Sequence, residues 1–564
     1  MRRTPAHSYE GNRIMTAQAR LRRGAWLGLI VAASVALAGC TGTSTGADAA
    51  QPVDGGTITV GIDSDPGSQF NVHVSAADIS ALVLRNVFDS LVVQDADGSF
   101  KPWLAESWDV SDDGLSYTFH LKDGVKFTDG EAFDAAAVKA NFDHVVDPAT
   151  KSQYAASLLG GAAYAGTEVV DDRTVVVKLN TPFAPLLQGL STTYLGFFAP
   201  EVLKDKADQL AAGGPGITVG TGPWILDGYV AGQQVTFKKN PDYAWGPANA
   251  THTGAVHPDT LVYKILPENT VRAGALTSGE IDVAENVSPS DIPTLEADSS
   301  ITISNADAPG LPWSIFLNHS QGLFADKAVR QAFQRGIDIS SAVDAVYNGA
   351  YQRAWSVLSP TTPNAYDASL EGTWDYDADR ANQLLDQDGW TTRDADGTRM
   401  KDGQRLEVHW TATSTREDRA SLIAAFQADL KKIGFDLEID QLDVGAYLDR
   451  LMGGTYDIVD WSFVRPDGDI LRLHLDSKHS PIQNASYVND PQVDEWVNDA
   501  AEATDDAERA SLYQQVQQWV VDDAAIVPVY VPGNITATAA NVGGVRADIT
   551  GWPLLYDAWT TKTQ

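Results

Sequence analysis

LEVHWTATSTREDRASLIAAFQADLKKIGFDLEIDQLDVGAYLDRLMGGTYDIVDW, residues 406–461, switches between strand-like and helix-like hydrophobic spacing four times. Leu406 to Thr411 reads as a strand, and Arg416 to Ile433 as a helix with Leu422, Phe426, Leu430 and Ile433 on one face. Gly434 is a natural stop for that helix. Phe435, Leu437 and Ile439 alternate as a second strand, Val444 to Met452 has helical spacing, and Tyr456 to Trp461 reads as a third strand. Strand, helix, strand, helix, strand predicts an α/β lobe with mainly parallel pairing. Ligands of such sheets bind beyond the carboxyl ends of the strands, which points to Trp461 through Asp469.

Upstream of residue 305 the pattern is different. Gly56 to Ile62 alternates as a strand, and Ala77 to Leu91 has helical apolar spacing ending in Phe88 and Leu91. Trp108 and Val110, a turn at Asp112 to Gly114, and then Tyr117, Phe119 and Leu121 predict a hairpin. Asp134 is placed to cap a helix carrying Val138, Phe142 and Val145, and a strand pair is expected around Val169 to Leu179. No fixed-period repeat is present.

Cys40, the single cysteine, closes the run Leu37, Ala38, Gly39, Cys40 behind an apolar stretch, Ala25 to Ala38, flanked by Arg20, Arg22 and Arg23. This is the pattern of a secretory signal, with translation starting at Met1 or Met15, and the segment is short for a membrane span. The run resembles a bacterial lipobox, which implies a lipidated Cys40 and an extracytoplasmic chain anchored to the bacterial cell membrane by its acyl groups. Cys40 to Val53 is expected to be a flexible tether, with the fold beginning near Asp54. The whole chain has a formal charge of −35; without the six arginines and one glutamate of residues 1–39 it is −40. Such an acidic chain repels phosphates and anionic lipid heads, which argues against nucleic acid and basic-patch membrane partners. Its length predicts more than one lobe, and no disulfide is available to brace them.

The run Lys101-Pro-Trp-Leu-Ala-Glu-Ser-Trp108, then Asp113 to Leu121 (DGLSYTFHL) and Gly124 to Gly130 (GVKFTDG), resembles the signature of extracellular solute-binding proteins of family 5, the oligopeptide, dipeptide and nickel type. Matches continue through Gly220 to Trp224, Lys239 to Tyr243, Phe316 to Asn318, Val329 to Phe333, Ala381 to Leu385, Gly389-Trp390 and Tyr456-Asp457. The resemblance implies a two-lobed, type II periplasmic-binding-protein-like α/β fold that closes on a small solute and delivers it to an ABC permease with its ATPases. Lobe I is expected to use residues 54–95, 218–305 and 526–564, with a small domain inserted at 96–217. Lobe II is expected at 306–525, with hinges near 305 and 525. No cofactor and no catalysis are implied, and a monomer is expected.

Peptide-binding relatives place an aspartate three residues after a tryptophan, where it meets the ligand's α-amine. The matching stretch is Trp461-Ser462-Phe463-Val464-Arg465-Pro466-Asp467, with Val464 at the aspartate position. A buried ammonium without a counter-charge is strongly disfavoured. Asp460, Asp467 or Asp469 must therefore substitute, or the solute is not captured by its amine. Trp461 is read as a stacking platform or as the floor between the lobes, and Arg465 as a partner for a carboxylate or phosphate or for a neighbouring acid. On the first lobe Ser80, Ala81 and Val83 align with a ligand-facing stretch. Trp313, Tyr351, Trp355 and Tyr366, with Asn71 and His73 in the loop after the first strand, complete the candidate ligand-binding residues.

His252 with His257, and His474 with Asp476 and His479, are the histidine groupings, and neither has a recognised metal-site spacing. No P-loop or SxxK motif occurs. A peptide is the expected solute; a sugar oligomer, an opine-like or other small conjugate and a metal chelate are the alternatives. A secreted hydrolase and a surface sensor are the other function classes.

Overall fold

The computed structural model describes residues 51–562 except 68 and 414–416. The leader, Cys40 and most of the expected tether lie outside the described residues.

The chain begins with β1 (Thr57–Ile62) and α1 (Asp78–Leu84). It then forms β2 (Ala105–Val110), β3 (Ser116–Leu121), α2 (Ala135–Val146), β4 (Tyr164–Asp171) and β5 (Thr174–Leu179). Asp134 caps α2 as expected, its carboxylate accepting from Ala137 N at 2.8 Å. β2 to β5 make an antiparallel sheet in the order β2-β3-β5-β4. Helix α1 is shorter than its periodicity suggests. Asn86 and Val87 give their carbonyls to the N–H groups of Trp224 and Gly222, and this long-range pairing replaces further helical turns.

β6 (Trp224–Val230), β7 (Gln234–Lys239), β8 (Thr260–Ile265), β9 (Val283–Ala284) and β10 (Ile301–Asp307) follow. After β10 the chain enters a second sheet through β11 (Gly310–Leu317), β12 (Gln352–Arg353), β13 (Glu407–Thr413), α3 (Glu417–Ile433), β14 (Asp436–Leu442), α4 (Val444–Gly453) and β15 (Ile458–Val464). α5 (Ile470–Leu475) and α6 (Asp506–Asp523) lead to β16 (Ile526–Val531) and β17 (Gly533–Ala539).

The first large sheet has the order β10-β17-β9-β1-β8-β7-β6, the second β12-β16-β11-β15-β13-β14. In the second, β13 pairs in parallel with β14 and β15, as the 406–461 pattern requires, but β11 runs antiparallel to both β15 and β16. The sheet is therefore mixed, because β11 enters directly from β10 of the other sheet and not through a helical crossover, whereas β16 follows α6 and then leaves into β17. Residues 308–309 and Pro532 are the two crossings, and they lie side by side, with Ala308 N donating to Pro532 O at 2.8 Å. The second crossing is at 532 and not near 525, since Ile526–Val531 pairs with β11 and β12.

β11 is buried along its whole length. Trp313, Ile315 and Leu317 join the core on one face, Leu311 and Phe316 the core on the other, the burial expected of a central strand covered on both sides. The small antiparallel sheet shares one core with the first large sheet: Phe119, Phe142 and Val177 belong to the same cluster as Val60 and Leu261. No helix among the described residues is long and apolar enough to cross a membrane.

Candidate functional site

β15 ends where the two sheets face each other. Trp461 is half-buried, stacked on Phe316 at a centroid distance of 4.1 Å, and its Nε1 donates to His474 Nε2 at 3.2 Å. His474 Nδ1 lies 2.9 Å from Ile470 O, which makes Nδ1 the protonated nitrogen and Nε2 the acceptor. Burial pushes this imidazole down to about 4, so it is neutral and its two nitrogens are engaged. Phe463 meets Tyr154 edge to face at 5.8 Å. Ser462 is half-buried, and Val464, also half-buried, pairs with Gly310.

Beyond the strand come the charges. Arg465 Nη1 binds Asp469 at 2.9 Å, and Asp469 also accepts Arg472 Nε at 2.6 Å and Nη2 at 2.9 Å. Burial by itself raises the Asp469 carboxyl, and the two guanidinium groups outweigh it and hold the group below the usual carboxylate range. Asp467 is taken by Arg509 through both oxygens, at 2.6 and 3.1 Å.

The first lobe supplies the facing wall. Tyr194 packs against Tyr154 at 5.0 Å and donates its hydroxyl to Asp78 Oδ1 at 3.0 Å, at the start of α1. Burial raises the Asp78 carboxyl. Two residues on, Ser80 is buried and its Oγ has no partner among the described residues, while Ala81 and Val83 face the core. Three hydrogen bonds join the walls: Arg465 Nε to Gln188 Oε1 at 3.1 Å, Gln94 Nε2 to Pro466 O at 3.3 Å, and Ala184 N to Ala501 O at 2.8 Å.

The remaining candidates lie elsewhere. Trp313 is fully buried, its Nε1 donating to Asp460 Oδ1 at 2.9 Å, and Tyr351 stacks on Tyr530, which in turn stacks on Trp313. Trp355 lies under the Arg353 guanidinium at 3.8 Å, and Tyr366 bonds Glu371 at the edge of an open groove of about 610 Å³. Asn71 and His73 turn inward. Asn71 Nδ2 donates to Leu210 O, and His73 is wedged between Gly196 O at 2.7 Å and His144 Nδ1 at 3.0 Å. Both side chains fix the loop before α1, so their polar atoms are already occupied. Among the described residues no group of three His, Cys, Asp or Glu is placed to hold a metal ion.

Tyr154, Tyr194, Gln188 and Gln94 reach the site without having been recognised in the sequence. They sit outside any motif, and for Tyr154, Gln188 and Tyr194 it is the packing of the 96–217 segment onto the first sheet that brings them to β15.

The family model for bacterial extracellular solute-binding proteins, family 5, matches residues 99–472. The chain is 30% identical over 483 residues to di/tripeptide-binding protein 1 of Pseudomonas aeruginosa, covering 81% of this chain and 85% of that protein. It is 27% identical over 470 residues to the nickel-binding periplasmic protein of Escherichia coli, covering 81% and 86%. The crystal structure of NikA from Brucella suis in complex with Fe(III)-EDTA superposes with a TM-score of 0.79 at 26% identity, covering 90% of this chain and all of that one. With its two mixed sheets, its paired crossings and these matches, the chain belongs to the bacterial extracellular solute-binding proteins of family 5.

Proposed function

We propose that this solute-binding protein is the extracytoplasmic receptor of an ABC importer, and that a small solute, with a peptide as the leading class, lies between the Trp461–Asp467 segment and the Ser80 side of α1. The observation that carries this reading is the shared cluster: Phe463 and Arg465 from one lobe meet Tyr154 and Gln188 from the other, with Trp461 two residues before Phe463 on the same strand. A solute touching both walls stabilises the closed arrangement by its differential contacts. Relatives named for di- and tripeptides, covering most of the chain, support a peptide. The lobes are assigned to the two large sheets, hinged at residues 308–309 and Pro532. Lipidation at Cys40, a monomeric state and the absence of chemistry of its own belong to the same proposal.

A second reading has one observation behind it. The half-buried Trp461, held at its edge by His474, offers a ring face to a sugar or other ring-bearing conjugate. A metal chelate would need donors other than His474.

A thermal-shift screen of the full chain with peptides, oligosaccharides and nickel tests these readings. A ligand at about 100 times its Kd adds about 2.7 kcal/mol to the folded state. Peptides are expected to raise Tm, whereas a shift with oligosaccharides alone overturns the peptide assignment. Uptake that does not depend on the protein overturns the receptor role.

A further inference from the structure

The segment after β15 carries a charge imbalance. Three guanidinium groups, Arg465, Arg472 and Arg509, share two carboxylates, Asp469 and Asp467. Asp469 is shared between Arg465 and Arg472, and Asp467 is engaged bidentately by Arg509. Arg465 is only 3% exposed; its Nε is spent on a neutral amide oxygen of Gln188, and its buried Nη2 has no partner among the described residues. Asp78, on the opposite wall, accepts from the Tyr194 hydroxyl and is not an ion-pair partner of these arginines. Among the described residues these three guanidinium groups thus have only two ion-pair partners, in a chain whose formal charge is −35, so the local basic excess is not a consequence of composition. A buried guanidinium N–H without an acceptor is costly, and an anion arriving there gains a strong charge-assisted hydrogen bond. Val464 beside it offers nothing to an ammonium group. On the facing lobe the Ser80 hydroxyl is a second buried group without a partner among the described residues.

We propose that the solute of this receptor carries a carboxylate, and that this carboxylate docks on Nη2 of Arg465. The inference rests on the receptor reading above and narrows it. For a peptide, it is the carboxyl end and not the amine that faces the Arg465 segment.

The test is isothermal titration of the full chain with charge-matched pairs: Leu-Leu and N-acetyl-Leu-Leu against Leu-Leu amide, succinate against succinamide, and gluconate against glucose. At least one acid is expected to bind, and at least tenfold more tightly than its neutral or amidated counterpart. Arg465→Gln is expected to abolish that preference, and Arg465→Lys to retain part of it. In the ligand-free protein, Arg465→Met removes the surplus charge, so its Tm is expected to equal or exceed that of the parent. The proposal is overturned if no acid binds, if amides bind as tightly as acids, or if Arg465→Gln keeps the preference. A large loss of Tm in Arg465→Met with acid binding intact would also overturn it, by making Arg465 structural. If succinate or gluconate binds and no peptide does, the peptide reading fails and the carboxylate inference stands. If peptide amides and acids bind alike, the receptor reading stands and this inference fails.

Discussion

Asp460 anchors the aromatic wall behind the site. Its two oxygens accept from Trp313 Nε1 at 2.9 Å and Trp410 Nε1 at 2.8 Å, and Arg419 lies 3.9 Å away. Burial raises this carboxyl, and Arg419 with the two indoles opposes that. Asp460→Ala leaves two buried N–H groups and a guanidinium without their acceptor. It is expected to cost about 3–5 kcal/mol in urea unfolding, with Asp460→Asn losing less. Glu285 shows the opposite behaviour, because burial first and Asp63 second push its carboxyl up to about 8. A group whose folded value is raised contributes stability fully present below its unfolded value and lost as pH rises through the folded one. Here that window runs from about 4.5 to 8. Glu285→Gln is expected to leave stability unchanged near pH 4 and raise it at pH 8 by roughly 2–4 kcal/mol, read as a flatter pH profile of the urea midpoint. The residue types that carry these effects were readable in the sequence. Their roles were not, since Asp460 was a candidate amine partner until two indoles were found to occupy it.

At the scale of elements, β11 must begin with a glycine. Gly310 has φ +99°, and a Cβ there would sit 2.6 Å from both Arg465 N and Phe463 O. Gly310→Ala is therefore expected to cost about 2–3 kcal/mol and to weaken solute binding, because it displaces the backbone that aims Arg465; calorimetric unfolding together with titration measures both. The helix and strand boundaries between 406 and 461 were legible because each element carries its own period and stop. Gly434, at φ +96°, ends α3 where expected. The antiparallel pairing of β11 was not legible, because hydrophobic alternation is blind to strand direction. α1 fell short of its periodicity for a related reason: the carbonyls that would extend it bond to residues more than 130 positions away.

For the molecule as a whole, the walls meet through few polar contacts. Gln188→Ala removes the Arg465 contact. It is expected to raise the apparent Kd by roughly 2- to 12-fold, the value of one hydrogen bond, while leaving the ligand-free Tm within a degree or two. Small-angle scattering is expected to show solute-induced compaction in the parent and a smaller one in this variant. Equal compaction in both would mean that the glutamine does not help hold the lobes together.

By itself the sequence determined the α/β periodicity of residues 406–461, the cap at Asp134 and the order of family motifs, because each depends on local spacing or on ordered identity. Only the tertiary structure decided that Trp313 and Tyr351 back the wall, that Asn71 and His73 fix a loop, and that Tyr154 and Gln188 face Arg465. The physical reason is separation along the chain. Arg465 and Gln188 are 277 residues apart, and whether a guanidinium ends up paired or left over depends on every carboxylate that folding brings within reach.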